Sequence, residues 1–143
     1  MKKTMDGRKV FCRGLCKGAI TTWKLVKVTV PIYVTVTLLK HTPFLSWLAS
    51  LCSPLMHNFG LPGEAALALV MGNVLNIYAA VGVIASLSLS AREVTILGIM
   101  LLLSHNLPTE SAISAQIGVN PLLMGSFRLA TALGVGLLLN LVL

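Results

Sequence analysis

Residues 28–143 carry only six charged side chains: Lys40, Glu64, Arg92, Glu93, Glu110 and Arg128. Between them run apolar stretches cut by Pro, Gly and Asn. This pattern fixes the solvent first. A water-soluble domain carries roughly 25% charged residues, whereas this chain is 10% charged and 56% hydrophobic, with a mean hydropathy of +0.89. Hydrocarbon offers the backbone no hydrogen-bond partner, so an isolated crossing must be helical even where it is rich in Val and Thr. At about 20 residues per crossing, the length allows about four to five transmembrane or half-spanning helices. The expected fold is an all-α integral membrane protein.

The remaining charge sits at one end. Residues 1–27 hold eight of the eleven Lys and Arg against a single acid, Asp6. Such segments stay on the cytoplasmic side, so the expectation is a multi-pass protein of a bacterial-type inner membrane with its N-terminus inside. The lipid-like remainder argues against a nucleic-acid-binding arm. The basic region is too long for a signal peptide, and Lys40 interrupts the first apolar run. LASLC before Cys52 has Leu51 where a lipoprotein cleavage box needs a small residue. Cys12, Cys16 and Cys52 cannot form a four-cysteine zinc set within one chain. They read as reduced thiols, with acylation or a metal shared by a dimer as alternatives. No cofactor or metal is expected.

Residues 1–22 read as a basic, cytoplasmic or interfacial segment, with a surface helix over 6–22, and 23–143 as a single membrane-embedded unit. The first crossing covers 23–40, with Lys24, Lys27 and Lys40 snorkelling and an optional bend at Pro31. Residues 43–57 are a short apolar segment, broken at Pro54. The stretch 62–88 opens at Pro62, a good first helical position, and is interrupted at Gly72-Asn73 and Asn76. SLSLSARE makes a polar turn. Residues 93–106 are too short for a comfortable crossing, and 121–143 make the last one.

Within this pattern lies a repeat. LPGEAALALVMG (61–72) and LPTESAISAQIG (107–118) share Leu, Pro, Glu, Ala and Gly, and an Asn follows at 73 or 120. Interrupted apolar segments at corresponding places point to a transporter binding site. Whether the copies are inverted or parallel stays open, because 93–106 is short. Each glutamate has two readings. It can cap its helix, where the dipole and free N–H groups favour negative charge, or it can face a polar cavity and bind a cation, proton or solute hydroxyl. Asn73 and Asn76 lie one turn apart and serve either as interhelical glue or as pathway lining. His105, beside Asn106, can relay protons or make a structural hydrogen bond. Gln116 and Asn120 are the polar groups of the second copy. Arg128, if deep, needs a partner, with Glu110 and Glu93 as candidates. Small-residue ridges at 68, 72, 76, 80 and at 126, 130, 134 suit close helix packing, within the chain or between chains. No nucleophile–base pair or phosphate loop stands out, so the chain does not read as an enzyme.

The stretches GLPGEAALALVMGNVLNIYAAVG and LLLSHNLPTESAISAQIGVNPLLMGSFRL resemble the nucleoside recognition, or Gate, domain. That domain occurs in spore maturation membrane proteins and, as paired copies, in FeoB-type ferrous iron transporters. The resemblance covers roughly residues 22–140. It implies a membrane module that handles a small polar solute, nucleoside-like or ionic, and that works as a homodimer or with a second Gate chain. Glu64, Asn73, Asn76, His105, Asn106, Glu110, Gln116, Asn120 and Arg128 are the candidate pathway residues. The alternative is a structural or regulatory membrane component that transports nothing.

Overall fold

A computed structural model describes residues 7–39 and 41–143. Lys2, Lys3, Asp6 and Lys40 lie outside the described residues. Among the described residues, seven helices follow one another: α1 (Gly7–Leu39), α2 (Pro43–His57), α3 (Ala65–Val74), α4 (Ile77–Ser86), α5 (Ala91–Ser104), α6 (Leu107–Gln116) and α7 (Pro121–Val142). Among the described residues, three stretches are long and apolar enough to cross a membrane: Arg8–Leu39, Ala91–Gln116 and Pro121–Val142. With the short α3 and α4, this gives an all-α membrane fold of spanning and half-spanning helices.

α1 continues without a break through residue 22 and through Pro31, so the expected surface helix and the first crossing are one element. At 1.5 Å per residue its 33 residues extend about 50 Å, well beyond a hydrocarbon core of about 30 Å. Its packing begins near Thr29, whose hydroxyl reaches the carbonyl of Tyr78. Gly82 lets α4 sit against the Thr29 carbonyl, 2.8 Å from where a Cβ would stand. α2 also runs through its proline, Pro54, which the sequence reading takes as a break. It ends at His57, in a turn closed by Gly60. Gly60 takes φ +64, its amide bonds to His57 O, and Leu61 N bonds to Met56 O. This left-handed helix cap comes at little cost for glycine.

α3 and α4 span ten residues each, about 15 Å, and fold back on one another as a hairpin. A Cβ at Gly72 would stand 3.0 Å from that of Ala80, and the two positions flank the tip symmetrically. Of the two expected interruptions, the chain breaks at the second, Leu75–Asn76, and stays helical through Gly72-Asn73. Asn76 takes an extended backbone, and its side chain accepts from Ala79 N at 3.0 Å. Ser90 and Glu93 form a reciprocal cap that starts α5. α5 stops at Ser104, Asn106 adopts φ 56, and α6 begins, so the second crossing is made of two pieces. α7 runs antiparallel to α5: Asn140 reaches Arg92, Gly136 meets Met100, and Arg128 reaches Leu103.

The core is built on small residues at helix contacts. Ala65, Ala68, Ala80, Val83, Ile96, Leu97 and Ala132 have no exposed surface. The ridge at 68, 72 and 80 therefore packs within the chain. The ridge at 126, 130 and 134 faces outward, and α7 presents Ala132 and Gly136 to the core instead.

Gly63 lies directly against the backbone of Ala49. Its replacement by alanine should lower stability by about 1–3 kcal/mol through overpacking that a rigid backbone cannot relieve. Gly98 has open space where its Cβ would be, and alanine there should gain roughly 0.5–1 kcal/mol of helix stability. Thermal unfolding in detergent should show opposite shifts.

Candidate functional site

The structure gathers part of the predicted set at one place. The hairpin tip of α3 and α4 lies beside the break between α5 and α6. There the amide of Asn106 donates to Gly72 O at 2.9 Å. Each helix end leaves backbone groups without intrahelical partners, and the two breaks satisfy one another across this contact. Gly72 permits the approach, since a side chain there would run into Leu101.

Around this junction stand Asn73, His105, Asn106, Glu110 and Arg128. Arg128 donates through Nε to Leu103 O at 3.0 Å, a carbonyl at the end of α5. Its Nη1 pairs with the carboxylate of Glu110. Of the two candidate partners, Glu110 is the one found, because Glu93 is occupied in the Ser90 cap. The arginine side chain is 17% exposed and the glutamate 42% exposed, so the pair is anchored on the protein side and open on the other. His105, the residue after α5, is half-buried, and its Nδ1 lies 3.0 Å from Leu101 O in the last turn of that helix. The Asn73 side chain is different. Its Oδ1 is buried and has no hydrogen-bond partner among the described residues.

Other predicted residues lie elsewhere. Asn76 caps α4. Asn120 caps α7, accepting from Leu122 N and Leu123 N. Gln116 is exposed near the end of α6. The two glutamates of the repeat do not share a cavity in the chain. Glu64 lines an open cleft of about 420 Å³ with Leu45, Ser46, Pro62, Ser88 and Leu89, at the end where α5 starts. Glu110 stands beyond the far end of the 14-residue α5, about 21 Å further along. The glutamates also differ locally. Glu64 is the residue before α3 and its side chain makes no cap bond, whereas Glu110 lies in the first turn of α6. Pro62 correspondingly falls outside α3, while Pro108 lies inside the first turn of α6.

Sequence reasoning missed Arg92. Its guanidinium donates to Asn140 Oδ1 at 2.7 Å, to Asn140 O at 3.0 Å and to Gly60 O at 3.4 Å. Asn140 Nδ2 in turn donates to Asn58 O at 2.9 Å. This clasp ties the α2 end, the α5 start and the α7 end together. The available signal was Asn140 itself, a polar residue in the otherwise apolar GVGLLLNLVL.

Arg128→Leu strands the Glu110 carboxylate, and Glu110→Leu strands the guanidinium. The double variant should therefore lose less than the sum of the singles, by about 1–3 kcal/mol. Denaturation of the three variants in detergent measures this coupling.

Comparison with known proteins places this geometry in a family. The Gate family, described as nucleoside recognition, matches residues 22–127. The chain is 44% identical over 135 residues to the uncharacterized membrane protein YvoD of Bacillus subtilis, covering 94% of this chain and 43% of that protein. It is 38% identical over 101 residues to the inner membrane protein YjiG of Escherichia coli, covering 67% of this chain and 63% of that one. The chain thus spans less than two thirds of either relative. No solved structure matches it. A family match over most of the chain, on an all-helical frame with two broken LPxE segments, makes this protein a member of the Gate, or nucleoside recognition, family of membrane proteins.

Proposed function

We propose that the chain is a transport module of the cytoplasmic membrane, handling a small polar solute, nucleoside-like or ionic, together with a second copy or another Gate unit. The observation that carries this reading is the meeting of two helix breaks at Gly72 and Asn106. Broken apolar helices that converge with polar side chains inside a membrane are the usual construction of a solute site. Asn73 and the Glu110–Arg128 pair are the groups placed to contact solute, and the open side of Glu110 suits a pathway completed by a second unit. The basic N-terminal segment supports a cytoplasmic N-terminus.

A second reading, a structural membrane component, is favoured by how many predicted polar groups already have partners. Asn76, Asn120 and Glu93 cap helices, and Arg128 holds Glu110 and Leu103 O.

Proteoliposome uptake separates the two. Radiolabelled uridine, adenosine and sodium are offered to wild type, Glu110→Gln, Glu64→Gln and Asn73→Ala, with thermal unfolding followed in parallel. Transport predicts uptake of at least one probe, cut at least tenfold in Glu110→Gln while the fold persists. Variants that only lose stability, with no uptake by wild type, would establish the structural reading.

A further inference from the structure

Beside the junction, a cleft of about 330 Å³ opens between α2 and α7, with α3 and α5 as its floor. Its walls include Cys52, Leu55, Val70, Met100, Leu129 and Leu133. Leu55 and Leu129 line it and stand exposed, the apolar surface that a mouth opening sideways to hydrocarbon needs. The volume is at the lower end of the range for small-molecule sites, about 300–1,000 Å³. Two of the lining side chains, Asn73 and Ser104, carry hydrogen-bonding oxygens.

Both oxygens have acceptor capacity to spare. Asn73 Oδ1 is buried and has no donor among the described residues. Ser104 is 1% exposed and gives its proton to Met100 O at 3.0 Å, which leaves the lone pairs of its hydroxyl oxygen. A buried acceptor without a donor is costly in so apolar a setting. An acyl chain alone would fill the space and leave this acceptor unanswered. A nucleoside or an ion would lose its hydration to walls that replace little of it.

We propose that this cleft is a binding site for a neutral, membrane-partitioning amphiphile. The ligand has an apolar body of modest size and one hydroxyl, which donates to Asn73 Oδ1 or Ser104 Oγ. It enters sideways from the bilayer. The cleft shares Asn73 with the junction but does not rest on solute passage there: uptake can fail while the cleft still binds.

Cys52 lines the cleft and is a built-in reporter, once the exposed Cys12 and Cys16 are replaced by serine. The full chain in nanodiscs is labelled with N-ethylmaleimide in the presence of 1-decanol, decane or uridine. Decanol should slow labelling of Cys52 at least threefold, with decane and uridine close to the untreated rate. Asn73→Leu, close to isosteric and without the unanswered oxygen, should remain folded and bring decanol down to the effect of decane. Ser104→Ala provides a second, smaller change at the same end. Equal protection by decane and decanol in the wild type would overturn the proposal. So would labelling that no probe alters, the outcome expected if a second copy fills the cleft. Protection by uridine alone would overturn it too, while supporting polar-solute transport at this position.

Discussion

The hydrogen bond from Asn106 N to Gly72 O holds the two irregular points of the chain together. Neither break would be tolerable alone in hydrocarbon, where each unsatisfied peptide group costs several kcal/mol. Joined, each supplies what the other lacks. The short α3–α4 hairpin thereby gains a fixed depth against α5, and the two-piece crossing gains a fixed bend. The absence of a side chain at Gly72 is a condition of this contact, since a Cβ would meet both Leu101 and Ala80.

Arg128 braces the same place from α7. By donating to Leu103 O and pairing with Glu110, it spans the bend between α5 and α6. A guanidinium suits this task because its fixed fork of donors serves a carbonyl and a carboxylate together. Around it, polar groups are available without exposing the core to water. The apolar cleft starts at Ser104 and Leu129, the chain neighbours of Leu103 and Arg128, so two sides of one junction offer different chemistry. At the opposite end, the Arg92–Asn140 clasp joins three chain segments without involving any acidic side chain. This cation held by neutral acceptors suits the end of a span, where carbonyls of α7 lack intrahelical partners.

Local rules were legible where a few neighbouring residues decide the outcome. The polar SLSLSARE became the Ser90–Glu93 cap, Asn120-Pro121 began α7, and the apolar runs became helices. They failed where packing overrides propensity: Pro54, read as a break, lies within a continuous helix, whereas Pro31 lies within the helix expected there. The repeat is instructive. LPGE and LPTE look alike, yet one glutamate precedes its helix and lines a cleft while the other sits in a first turn and pairs with an arginine eighteen residues away. Identical tetrapeptide patterns cannot encode that difference, because the partners come from other helices.

Sequence by itself determined the solvent, the helical class, the existence of interrupted segments and the family. These follow from composition, spacing and motif order, all properties of neighbouring residues. Tertiary structure alone decided which interruptions meet, which glutamate finds an arginine, and which asparagine is left without a donor. Those outcomes depend on contacts such as Gly72 with Asn106 and Arg92 with Asn140, made across thirty to fifty residues of chain. In lipid, the cost of an unpaired peptide or charge selects such distant pairings, and no local pattern records them.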